Sequence, residues 1–130
     1  MNFRDFAAAS RDRMSERVNI VFISDCKLLA EAVYLYFRKK TTIDMYNDPE
    51  IFLEKLSEYD KHTKICIDNS LKTKIGSFEI AEKLYNAGYI RLYLLSGWDF
   101  EKGYGPKELP HYLTPLLKGF DIMDELDRLL

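Results

Sequence analysis

The sequence predicts a doubly wound α/β domain built on five parallel strands. Short β-branched apolar runs recur along the chain, separated by amphipathic stretches in the order βαβαβαβ(irregular)βα. The connections are too short for anything but crossovers, and right-handed crossovers with helices on both faces give a parallel sheet. Two of the runs, "VNIVFISD" and "TKICIDNS", stop on an acid or carry one at their end, Asp25 and Asp68. Strand ends of that kind line the edge where such sheets place their chemistry.

Residues 1–17, "MNFRDFAAASRDRMSER", are polar and arginine-rich, which suits a frayed or short helical extension ahead of a domain spanning 18–130. "VNIVFIS" reads as the first, buried strand. In "CKLLAEAVYLYFRKK" the apolar residues Leu28, Leu29, Ala32, Leu35 and Tyr36 suggest a helical stripe, and the basic end suits the helix dipole. "TIDMYN" is a short second strand. "DPEIFLEKLSEY" starts a helix with Asp48 as N-cap and Pro49 at the first helical position.

"TKICID" is the third strand, and "SFEIAEKLYNAG" a helix capped by Ser77 and ended by Gly88. "YIRLYLLS" is the fourth strand. Then Gly97, Gly103, Gly105, Pro106 and Pro110 interrupt the stretch where a fourth amphipathic helix is due. Residues 97–114 are therefore expected to be irregular, with Trp98, Phe100 and Tyr104 a candidate partner surface. "LTPLLKG" is the fifth strand. "DIMDELDRLL" closes as a helix with Ile122, Met123, Leu126 and Leu130 on one face.

With 47% hydrophobic and 31% charged residues in 130, the chain suits one soluble domain with a proper core. A net charge of −2 and the lack of a basic stripe argue against nucleic-acid binding. No apolar run is long enough to span a bilayer, and the first residues do not resemble a signal peptide. Cys26 and Cys66 are isolated in sequence, which points to reduced thiols and a cytoplasmic protein. His62 and His111 sit in polar connections at no zinc-like spacing.

Topology gathers Ser24, Asp25, Asp68, Ser96 and, after the fifth strand, Lys118 along one edge. Paired carboxylates attract a hard dication, a lysine offers phosphate a point charge, and a serine hydroxyl bonds a phosphoryl oxygen. An aspartate held there is a nucleophile toward phosphorus.

In these positions residues 18–130 resemble the response-regulator receiver domains of two-component signalling, which share the flavodoxin-like fold. Asp68 ends the third strand where the family carries its phospho-acceptor, with Gly76 eight residues on. Ser96 falls at the family's Thr/Ser position and Lys118 at its lysine. The resemblance implies a phosphorelay component that takes phosphate on Asp68 from a histidine kinase or phosphotransfer protein. It implies Mg²⁺ held, weakly here, by Asp25, Asp68 and the Ser70 carbonyl. Ser96 and Lys118 would bind the phosphoryl group, and the output would run through contact with a further protein, a second copy included. The only catalysis implied is Mg²⁺-dependent self-phosphorylation.

Three departures stand out. Ser24 replaces the first acid of the family's pair, Pro115 occupies its switch aromatic, and Gly119 replaces the proline after the lysine. The missing acid, the missing aromatic and the irregular fourth helix support an alternative, a phosphorylation-independent pseudo-receiver acting as a protein-binding module. A second register sets "HYLTP" against the family's Tyr-Leu-x-Lys-Pro ending and leaves no lysine. An FMN carrier would need a Ser/Thr/Gly-rich loop after the first strand, which "SDCKLLAE" lacks. An Asp-nucleophile phosphatase would want an acid just beyond Asp68, where Asn69 and Ser70 stand.

Overall fold

The apolar runs form β1 (Ile20–Ile23), β2 (Ile43–Tyr46), β3 (Lys64–Asp68), β4 (Leu92–Ser96) and β5 (Leu113–Leu117). All pairings are parallel, in the order β2-β1-β3-β4-β5, which is the doubly wound, flavodoxin-like arrangement. The computed structural model describes residues 17–97 and 109–130. Most of the N-terminal extension, and Trp98, Phe100 and Tyr104 of the expected irregular segment, lie outside the described residues. Arg17 is tied to the domain: its carbonyl accepts from Thr42 Oγ1 at 2.7 Å and its guanidinium pairs with Asp60 at 3.0 Å.

Successive strand residues point to opposite faces, and both faces are covered. Ile20, Phe22, Ile43, Met45, Cys66, Leu95 and Leu116 face one cluster, closed by α1 (Lys27–Phe37) and α4 (Ile122–Leu126). Val21, Ile23, Tyr46, Ile65, Ile67, Leu92, Leu94 and Leu113 face the other, closed by α2 (Pro49–Glu54) and α3 (Ser77–Asn86). No helix among the described residues is long and apolar enough to cross a membrane.

Four local expectations are corrected. Helix α1 buries Ala30, Val33 and Phe37, while Leu28 and Leu35 of the expected stripe are 80% and 55% exposed. Helix α2 keeps its Asp48 cap (Oδ1 accepts from Glu50 N at 2.9 Å) but ends at Glu54. A 3₁₀ turn, Leu56–Glu58, follows it and leads to the buried Tyr59. The N-cap of α3 is Gly76, because the Ser77 hydroxyl is spent on Asn69. At the C-terminus Leu129, not Leu130, is buried with Leu126. The last turn, Asp127–Leu129, is 3₁₀, and three residues per turn stack 129 over 126.

Gly88 ends α3 as expected. Its amide reaches Tyr85 O and the Tyr89 amide reaches Leu84 O, both at 3.0 Å, the two bonds of a Schellman motif. Its φ of 99° is in the left-handed region. The nearest atoms a Cβ there would meet belong to the Lys61 side chain, from 3.6 Å, which is ordinary contact. Backbone strain alone should make Gly88→Ala about 1 kcal/mol less stable, read as a lower urea midpoint. An unchanged midpoint would contradict the cap geometry.

Pro115 sits in β5, which among the described residues is an edge strand paired only with β4. The Lys118 amide donates to Ser96 O at 2.8 Å, so by two-residue alternation the amide at 115 faces the open edge. Proline costs the ladder nothing there.

Candidate functional site

The ladder fixes the site before any side chain does. Asn69 N bonds Leu95 O and Lys118 N bonds Ser96 O, both at 2.8 Å, so the ends of β3, β4 and β5 are level. On the other side Ser24 N bonds Tyr46 O at 2.9 Å, extending β1 by one residue. Asp68 therefore stands between Ser24 and Lys118.

The Asp68 carboxylate is fully buried and densely bonded. Its Oδ1 accepts from Ser70 N at 3.0 Å, Ser70 Oγ at 2.8 Å and Lys118 Nζ at 3.1 Å. Its Oδ2 accepts from Ser24 Oγ at 2.8 Å and from Lys118 Nζ at 3.3 Å. Lys118 Nζ also reaches Ser70 Oγ at 3.2 Å. The Ser70 contacts form the tight local turn an aspartate makes with the residue two ahead. Burial pushes the Asp68 carboxyl up. The donors from Ser70, then Ser24, then the Lys118 charge outweigh it and hold the group below its ordinary value. Beneath it, burial and then the Asp68 charge push the Cys66 thiol up, so this cysteine is an inert core residue.

Ser24, Ser70 and Lys118 thus meet on Asp68. Asp25 is not drawn into that cluster. It is exposed at the strand edge, and its Oδ2 accepts from the Lys72 amide at 2.8 Å, pinning the loop after β3. Ser96 is buried and takes a long contact, 3.4 Å, from Asn69 Nδ2. Asn69 Oδ1 in turn accepts from Ser77 Oγ at 2.8 Å. Asn69 and Ser77 went unassigned to the site in the sequence. The available signal was that Asn69 directly follows Asp68 and Ser77 opens the next helix. A cavity of about 350 Å³ is lined by Asp68, Asn69, Ser70, Ser96, Gly97 and Lys118.

Around Asp68 itself the donors are poor in the negative charge Mg²⁺ wants. Ser24 Oγ accepts from Cys26 N at 3.1 Å and gives its one hydrogen to Asp68, so it offers a cation no charge and at most one remaining lone pair. The carboxylate of Asp68 is matched by the ammonium of Lys118. At an effective dielectric of ~20 a dication roughly 4 Å from each is attracted by one and repelled by the other by about 8 kcal/mol. Electrostatically the two cancel. Among the described residues no three His, Cys, Asp or Glu side chains gather as a metal cluster.

A second buried polar group lies in the same layer as α2 and α3, away from Asp68. Tyr59 Oη donates to Asp44 Oδ2, and Tyr59 and Tyr46 share a 2.6 Å hydroxyl contact. Asp44 and both tyrosines are buried. Burial, then the Asp44 charge, raises the Tyr59 phenol far above its usual range, so it stays a proton donor.

No protein-family model matches this chain, and no curated protein matches it.

Proposed function

We propose that the chain is a phospho-accepting signalling domain of the receiver class, with Asp68 as the acceptor. The observation that carries it is the convergence of Lys118, Ser24 and Ser70 on one buried carboxylate at the C-terminal edge of a parallel sheet. Asp68 Oδ2 carries the fewer bonds of its two oxygens and is the nucleophile. It attacks the phosphorus of a phosphohistidine on a kinase or phosphotransfer protein. The O–P bond forms, the P–N bond breaks, and its electron pair stays on the imidazole nitrogen. The product is an acyl phosphate whose oxygens take hydrogen bonds that the carboxylate held before. Lys118, with 29% of its side chain exposed against none for Asp68, covers the acceptor and must turn to admit the phosphoryl group. That movement is the candidate signal to an output protein.

A second reading is favoured by one specific contact: the bond that the Lys72 amide donates to Asp25 Oδ2 turns the second acid away from Asp68. A domain that keeps Asp68 permanently paired would act as a phosphorylation-independent protein-binding module. Intact mass after incubation with phosphoramidate and excess Mg²⁺ separates the two. The first reading expects one added phosphoryl group on the wild type and none on Asp68→Asn. Phosphate that persists in Asp68→Asn, or that maps to His62 or His111, sinks it, and a wild type that stays unmodified leaves the binding module.

A further inference from the structure

We infer that the Asp68 site supplies its own counter-cation, and that phosphoryl transfer to Asp68 proceeds without a divalent metal ion. The inference rests on the phospho-acceptor reading above. Three contacts carry it, one at each position where a dication would seek an anionic ligand. Lys118 Nζ lies 3.1 and 3.3 Å from the two Asp68 oxygens and already neutralises them. The hydroxyl at position 24 points its hydrogen at Asp68 Oδ2 instead of offering a charge. One oxygen of Asp25, Oδ2, accepts from the Lys72 amide and turns that carboxylate toward the loop after β3.

The same groups can serve the reaction. As the Oδ2–P bond forms and the donor's P–N bond breaks, the bonding pair leaves on nitrogen, which takes a proton from solvent. Negative charge then moves off the carboxylate and onto the phosphoryl oxygens. The Lys118 ammonium and the Ser24 hydroxyl sit beside Oδ2 and turn their hydrogens the short way onto the new oxygens. A carboxylate at position 24 could not do this. It would repel the phosphoryl group and require a metal ion between them.

The test follows phosphate uptake from phosphoramidate by intact mass, in EDTA and in millimolar Mg²⁺, for the wild type and Ser24→Asp. The expected result is one rate for the wild type in both media. Ser24→Asp, with its acidic pair restored, should become roughly tenfold faster with Mg²⁺ than in chelator. Wild-type modification that appears only with Mg²⁺ overturns the inference and leaves the acceptor reading intact. If no condition modifies the wild type, the acceptor reading fails, and Mn²⁺ titrated into ¹⁵N-labelled wild type decides the metal question alone. Selective broadening of the Asp68, Asn69 and Ser70 amides would overturn the self-supplied cation as well; unchanged signals would keep Lys118 as the counter-cation of Asp68 with the transfer step refuted. The wild-type arms stand whether or not Ser24→Asp folds.

Discussion

Lys118→Met is expected to destabilise the domain by about 2–3 kcal/mol at neutral pH. Removing one partner of a fully buried ion pair costs about 3–5 kcal/mol, and the partial exposure of Lys118 lowers that figure. Asp68 would keep its bonds from Ser24 and Ser70 but lose the charge that balances it. Removing both charges should restore most of the loss, so Lys118→Met with Asp68→Asn should lie within about 1 kcal/mol of wild type. The pH dependence has a definite sign. The folded-state pKa of Asp68 is lowered, so its contribution is complete above the ordinary carboxylate value of about 4 and disappears as pH falls through the lowered one. Wild type and Lys118→Met should therefore converge in acid. Urea titrations of the four proteins at neutral and acid pH measure this, and equal stabilities at neutral pH would mean that Lys118 is not held on Asp68.

Tyr59→Phe should cost about 1.5–3 kcal/mol, the range for a hydrogen bond to a buried charged acceptor. The ring would keep its packing on Phe52 (centroids 5.3 Å apart) and on Tyr46, so the change isolates the hydroxyl. In an Asp44→Asn background the same substitution should cost less, because an amide oxygen loses less than a carboxylate. Alkali supplies the sign here. The Tyr59 pKa is raised in the fold, so the phenol's contribution is full below the unfolded value of about 10 and falls as the pH rises past it. The gap between wild type and Tyr59→Phe should narrow there. A thermal or urea midpoint that ignores the substitution would mean the Tyr59 hydroxyl does not bond Asp44.

Legibility in the sequence followed the strength of the pattern. The strands were readable because their residues are apolar on both sides, and Asp48-Pro49 and Gly88 marked helix ends by backbone chemistry alone. The buried face of α1 was not readable. Apolar residues surround that helix, so Leu28, Ala32 and Leu35 make as good a stripe as Ala30, Val33 and Phe37, and only the sheet chooses. At the C-terminus the switch from 3.6 to three residues per turn moved burial by one position. Asp68, Ser24 and Lys118 were legible through their places at strand ends. The turn of Asp25 toward Lys72 was not, because exposed loop residues decide it. Asp44 gave no signal, since Tyr59 reaches it across 15 positions of chain.

Pro115 bears on how copies of this domain can meet. An open parallel edge offers a template for sheet growth, and the central donor of this one is missing. A foreign strand laid along β5 would leave one of its carbonyls facing a ring without hydrogen, which interrupts any continuous ribbon at its middle. The same residue that departs from the receiver pattern thus blunts fibril-like stacking through β5. Among the described residues the other edge strand, β2, carries no such proline.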